Sequence, residues 1–359
     1  MTVFNKNNTG HKEGYPLFLG QDLGIIDTIN VQYPQLEDLY QTQISQIWNE
    51  FEIDLTQDRM DMLKVPDEIK QLMVDTLMFQ TAADSIAASS IVESLGKYIT
   101  NTECLNLATV WSFFEVIHSR TYSHIIKQTF IEPNDMIEEL YNNSAVLNRI
   151  DIITKTFDEM EMVNHDDSDF TKKCTILNTL TALFGMEAIS FMSSFAITFG
   201  ITQMKVFQGI GQLVKLICRD EVLHAKFSFE LFKILLADPK WSEAFEATKN
   251  SRLNILNTLL NAELDNTDTL FNKGGKIIGL NAELLKEYVV FMSKPVFDLF
   301  KFDISKSTIV TVPKTTPLPY MESYIDSSQV QAAAQEIQLT NYNIGVIADD
   351  NVDDIDFDF

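Results

Sequence analysis

Two stretches decide the fold: WSFFEVIHSRTY at residues 111–122 and LICRDEVLH at residues 216–224. Each sets a glutamate three places ahead of a histidine, Glu115 before His118 and Glu221 before His224, within a strongly apolar run. On a helix, positions i and i+3 share a face, so each pair presents one carboxylate and one imidazole to the same point. The 359-residue chain has five histidines and 23 glutamates, and composition alone supplies about 0.3 such pairs. A single pair is ordinarily a salt bridge or a held histidine. Two pairs on apolar helices need another cause.

Two isolated acids lie between and before these runs. Asp84 is the only charge between Asp75 and Glu93, and Glu187 is the only charged side chain from Cys174 to Met204. A buried carboxylate needs a cation, a proton or a donor, and few Lys or Arg residues lie near any of the four acids: only Arg120, Lys215, Arg219 and Lys226. The order is acid (84), pair (115/118), acid (187), pair (221/224). That order matches the di-iron or di-manganese carboxylate site of a four-helix bundle, in which four carboxylates offset two divalent cations. Oxygen-rich ligation with two imidazoles suits iron or manganese rather than copper or structural zinc. No His-Glu-x-x-His run exists, the Gly209-x-Gly211 pair lacks a third glycine and a preceding strand, and there is no phosphate loop.

Trp111, Glu115, His118 and Tyr122 fall within one 100° stripe of their helix. A buried tyrosine is usually a core residue with a satisfied hydroxyl; beside a dioxygen-activating metal pair, a phenol can instead be oxidised to a radical. His124 points about 120° from His118 and about 180° from Glu115, which makes it structural or surface. His11 and His165 are expected in solvated turns.

The pattern is helical almost throughout from Pro34 to about residue 300. Expected helices run from Pro34 through LEDLYQTQISQIWNEF, from Pro66 to about Tyr98, and from about Thr102 to Phe130. Shorter ones fill 134–163, two long apolar ones fill 168–199 and 203–236 with a break near Gly200, another starts at Asp238-Pro239, and the last spans 280–300. No alternating run of strand length recurs, so the chain reads as all-α. Residues 1–32 form a turn-rich arm, 33–304 the helical body, and 305–359 an extended linker and acidic tail.

Charge bounds the function. There are 27 Lys+Arg against 51 Asp+Glu, a formal charge of −24, which disfavours nucleic acid and anionic membrane surfaces as partners. No Lys or Arg follows Lys314, and the tail beyond it holds nine acids. Cys104, Cys174 and Cys218 are odd in number and widely spaced, as in a reduced cytoplasmic protein. The apolar run around Glu187 carries its acid mid-span and many Thr, Ser and Asn residues, so it reads as a buried helix, not a membrane span.

The strings QTAADSI, WSFFEVIHSRTYSHI, MEAISFMSSF and LICRDEVLH resemble the small, radical-generating subunit of class I ribonucleotide reductase, aerobic bacterial and phage type. The likeness runs from GYPLFLGQ to the C-terminal arm. It implies a ferritin-like di-metal bundle with additional helices. Asp84, Glu115 and His118 match the ligands of one iron, and Glu187, Glu221 and His224 those of the other, some carboxylates bridging. Tyr122 matches the tyrosine that stores the radical, and Trp48 the tryptophan that starts the path toward the large subunit. Asp220 matches the acid joining Trp48 to His118, Phe191, Phe195 and Ile217 match an apolar pocket around the radical, and Tyr342 matches the tail tyrosine that relays it.

The resemblance thus implies a homodimer that reacts two irons (manganese the other candidate) with dioxygen to form a tyrosyl radical on Tyr122. A flexible docking tail anchored by Ile355, Phe357 and Phe359 then engages the large subunit, where ribonucleotides are reduced. Present together, Asp84 and Tyr122 disfavour the tyrosine-free iron–manganese variant. Pro319-Tyr320 and Ser323-Tyr324 replace tryptophans common in related linkers, and DDIDFDF is unusually rich in aspartate. The competing readings are another di-iron bundle oxygenase, which needs neither Trp48, Tyr122 nor the tail, and an iron-storage protein, ordinarily about half this length.

Overall fold

The helices that carry the four isolated acids pack against one another at the centre of the computed structural model, which describes residues 2, 4–272 and 277–325. They are α4 (Asp67–Ser90), α5 (Thr102–Thr129), the run α8 (Asp169–Gly185) to α9 (Phe191–Thr202), and α10 (Gln208–Ala237). Short connections join α4 to α5 and α9 to α10, which makes each pair antiparallel neighbours. Around this core lie α2 (Pro34–Ile44), α3 (Thr56–Lys64), α6 (Pro133–Asn142), α7 (Ser144–Glu161), α11 (Ser242–Ala247), α12 (Lys249–Asn272) and α13 (Ala282–Leu299). Single turns α1 (Gly10–Glu13) and α14 (Glu322–Ile325) lie near the two ends of the described chain. No strand forms among the described residues; two isolated bridges, Phe18 with Ile99 and Ile277 with Leu280, are the only extended pairings.

Local chemistry starts several of these helices. Asn101 accepts from the Cys104 amide at 2.8 Å, Asn143 from Ala145 and Val146, Ser168 from Thr171, and Asn281 from Leu284. Each cap satisfies an amide that the helix leaves unpaired. Asp169–Thr202 is long and apolar enough to cross a membrane, but its apolar window is wholly covered by the other helices.

The expected boundaries shift in three places. The helix from Pro34 ends at Ile44, not near Phe51, so Trp48 lies in a loop. Asn49 and Glu52 take up local amides there, and the Gln46 carbonyl accepts from Arg219 at 2.8 Å, so the segment has partners that a helix would not give it. Helix α3 falls between Phe51 and Pro66, inside the helical pattern but where no separate helix is expected. The break placed near Gly200 comes after Thr202, at residues 203–207, where Lys205 and Phe207 take left-handed φ values of 65° and 55°.

Gly200 lies inside the helix, where a Cβ would come within 3.1–3.3 Å of Ile277, Leu280 and the Tyr320 hydroxyl, so the glycine serves close packing and not a helix end. Asp58 and Asp61 of α3 secure the turn after it. Asp61 accepts from the Phe207 amide at 2.9 Å, and Asp58 accepts from Gly209 and Ile210 at 3.2 and 2.8 Å. A Cβ on Gly209 would lie 2.4 Å from the Asp58 carboxylate, so this glycine serves a helix cap and not a dinucleotide loop.

The terminal segments pack more closely than their composition suggests. In the arm, Leu17 and Phe18 are buried and the Thr100 amide donates to the Leu17 carbonyl at 2.9 Å. His11 sits in α1 and is exposed, as is His165. In the linker, Leu318 and Met321 are buried, Tyr320 donates to the Ala196 carbonyl at 2.8 Å, and Tyr324 stacks on Phe199 at 3.8 Å. Tyr320 and Tyr324 therefore clip the chain to α9.

Candidate metal centre

Asp84 comes from α4, Glu115 and His118 from α5, Glu221 and His224 from α10, and Glu187 from a single π-helical turn, Met186–Ser190, that joins α8 to α9. All six side chains are fully buried. A π turn inserts one residue into an α-helix and re-aims the side chains around it, a common device at functional sites. Sequence periodicity could not reveal it.

The six side chains fall into two overlapping sets: Asp84, Glu115, His118 and Glu221, and then Glu115, Glu187, Glu221 and His224. Within each set the ligand atoms lie within 4.8 Å of one another, and Glu115 and Glu221 belong to both. His118 Nδ1 stands 2.9 Å from Glu221 Oε1 and 3.6 Å from both Asp84 Oδ2 and Glu115 Oε2. His224 Nδ1 lies 2.8 Å from Glu221 Oε2 and 2.9 Å from Glu115 Oε1.

Packing carboxylates together without solvent shifts the titration of Asp84, Glu187 and Glu221. Burial, then the charges of Glu221 and Glu115, pushes Asp84 and Glu187 well above the usual carboxylate range. For Glu221 burial acts upward, but the flanking imidazoles of His224 and His118 outweigh it and hold the carboxyl low. Burial lowers His224, yet Glu221 and Glu115 lift it to about 9, and His118 is raised in the same way. Both Asp84 oxygens are buried and accept no hydrogen bond. Among the six side chains only the two imidazoles offer positive charge, and the free carboxylate lone pairs converge. A pair of divalent cations fits that donor set.

A hydrogen-bonded chain leaves the cluster on the His118 side. His118 Nε2 is 3.2 Å from Asp220 Oδ2, and the same oxygen accepts from Trp48 Nε1 at 2.7 Å. Trp48 and His118 stack with ring centroids 6.1 Å apart. Arg219, which sequence reasoning left unassigned, donates to Asp220 Oδ1 from Nε and Nη2 at 3.1 and 3.0 Å. Through Gln46 it also holds the Trp48 loop, and Arg120 on α5 pairs with Glu50 of that loop. The one available signal was a cation immediately beside Asp220 in an apolar run.

Trp111 donates to Glu115 Oε1 at 2.9 Å, and its ring lies 5.3 Å from that of His224. The Tyr122 hydroxyl is fully buried without a hydrogen-bond partner, and burial followed by the Asp84 charge raises its pKa well above 10. Phe191, Phe195 and Ile217 are fully buried; the Phe191 ring lies 5.8 Å from both Phe195 and Phe79. His124 stays outside the cluster, against Phe51 at 5.1 Å. Tyr342 and the tail anchors lie outside the described residues.

Comparison with known proteins decides the family. The model for "Ribonucleotide reductase, small chain" matches residues 25–303. This chain belongs to the ribonucleotide reductase small-chain family. It is similar to the ribonucleoside-diphosphate reductase subunit beta of Haemophilus influenzae, 28% identical over 99% of this chain and 98% of that one. The corresponding subunit of Enterobacteria phage T4 is 26% identical over 98% and 97% of the two chains. Among solved structures, the ribonucleotide reductase R2 subunit from Clostridium botulinum matches 90% of this chain and 98% of its own, with a TM-score of 0.78 at 18% identity. A dimanganese(II)-NrdF from Streptococcus sanguinis matches 85% and 99%, with a TM-score of 0.66 at 17% identity.

The ferritin-like fold follows from these likenesses. Family membership places the chain among the small, radical-generating subunits of ribonucleoside-diphosphate reductase, an oxidoreductase that works with a large subunit. Small subunits of this family are typically dimeric.

Proposed function

We propose that Asp84, Glu115 and His118 hold one metal ion and Glu187, Glu221 and His224 the other, with Glu115 and Glu221 reaching both. The observation that carries this reading is the overlap of the two buried ligand sets through those two glutamates. Iron is the metal of this reading; the same donors suit manganese, and metal analysis of the purified chain separates the two. Held there, a metal pair with dioxygen as oxidant would supply the oxidising power for loss of one electron and one proton from Tyr122.

The chain's own residues set the conditions for that oxidation. Burial keeps water from the phenol, and the apolar side chains of Phe191, Phe195 and Ile217 offer it nothing to react with. Trp111 fixes one oxygen of Glu115, and Asp220 fixes the His118 ring from the side away from the cluster. Trp48, Asp220 and His118 form a continuous contact from loop to cluster, which supports Trp48 as the entry of the radical path. Tyr342 then relays the radical to the large subunit, with the acidic tail docking through Ile355, Phe357 and Phe359. The chain acts in the cytoplasm as a homodimer.

The test is to load metal-free protein with iron(II), admit oxygen and record the paramagnetic resonance spectrum. A tyrosyl doublet is expected, and it should vanish in Tyr122→Phe while two metals per chain remain bound. No radical in the unaltered protein would favour an oxygenase or iron-storage reading.

A further inference from the structure

A second feature is a cavity of about 20 Å3 with buried walls from α5, α8 and α10, from Ile91 and Leu95 just past the end of α4, and from Phe18 and Ile99 outside the bundle helices. Four of the ten wall residues keep a simple register with the ligands. Ile91 stands seven residues after Asp84, Ala108 seven before Glu115, Leu180 seven before Glu187, and Leu231 seven after His224. Seven residues are two helical turns, a rise of about 10 Å that returns a side chain to the same face. The alternation of before and after is what antiparallel neighbours require. Each ligand run therefore gives a ligand to one layer of the bundle and a wall to the next.

Trp111 is the partition between the layers. Its ring lines the cavity, while its indole N–H donates to Glu115 at 2.9 Å and its ring lies 5.3 Å from His224. A void must exceed about 10–15 Å3 to admit a water, and that water needs two to four polar partners. This cavity passes the first condition and fails the second, because the Trp111 N–H is already engaged. Voids lined by apolar side chains stay dry, and larger engineered ones take up xenon.

The geometry points to a dry gas-binding site coaxial with the metal cluster, which dioxygen occupies before it passes Trp111 to the ligands. The identity of the gas rests on the oxidation proposed above; the site itself does not.

Xenon tests it on the unmodified, metal-free chain. Crystals under xenon pressure should show one xenon atom against Ala108 and Leu231, and absence of xenon there overturns the site. Ala108→Val and, separately, Leu231→Phe fill the void from two different helices. Each should abolish xenon uptake, leave iron(II) stoichiometry unchanged, and slow oxidation of the iron-loaded protein severalfold at limiting oxygen, with recovery at saturating oxygen. Loss of xenon with an unaltered oxygen-dependent rate in both variants overturns delivery through the cavity. A wild-type chain that binds xenon but never oxidises Tyr122 supports the site and overturns the proposed oxidation, so the two failures are distinct.

Discussion

His118 shows how finely the centre depends on single atoms. Its Nδ1 faces Glu221 inside the cluster, and its Nε2 faces Asp220 outside it. An imidazole held this way has one tautomer suited to metal ligation. Trp48→Phe removes the indole donor to Asp220 without touching the ligands, so the radical should form normally while turnover with the large subunit is lost; an unaltered turnover rate rejects the path. Protonation gives a second prediction. Without metal, Asp84 and Glu187 are shifted up and His224 titrates near 9, so the cluster stores protons at pH 7. Metal requires the deprotonated forms. Loading at pH 7 should therefore release protons, and apparent affinity should rise with pH up to about 9, which calorimetry in buffers of different ionisation enthalpy measures. An affinity constant from pH 6 to 8 contradicts the assigned ligand set.

Among the elements, the π turn that carries Glu187 is braced from outside. Arg149 on α7 binds Glu263 on α12 through two bonds of 2.8 Å and Ser194 on α9 at 3.1 Å, and its guanidinium stacks on Phe79, which in turn touches Phe191 at the end of the π turn. Arg149 and Glu263 are both buried. Removing one partner of such a pair leaves an uncompensated charge, so Arg149→Met should cost about 3–5 kcal/mol. Replacing both residues by apolar ones of similar volume should cost much less, as chemical denaturation of the two variants will measure. The same scale shows where sequence reading stopped. Caps and apolar stripes are local and gave most helix positions correctly. The end of α2 at Ile44 was not legible, because the groups that hold the next segment, Arg219 and Asp220, lie about 170 residues away.

For the whole molecule, the charge of −24 separates into parts with different work. Four acids converge in the interior, Asp58 and Asp61 cap α10, and nine acids fall in the tail beyond Lys314. Deleting the last ten residues should abolish association with the large subunit yet leave radical formation intact, as pull-down and paramagnetic resonance of the truncated chain will show. Binding that survives the deletion rejects the docking role.

The amino-acid sequence by itself determined the class of fold and the six candidate ligands. Helical periodicity is a local property, and isolated acids in apolar helices declare their own need for a counter-charge. Tertiary structure alone decided which oxygens converge, that Glu115 and Glu221 reach both sets, that Arg219 steadies Asp220, and that an apolar void lies one layer from the cluster. Those features arise between helices, where packing sets which faces meet, and no single helix carries that information.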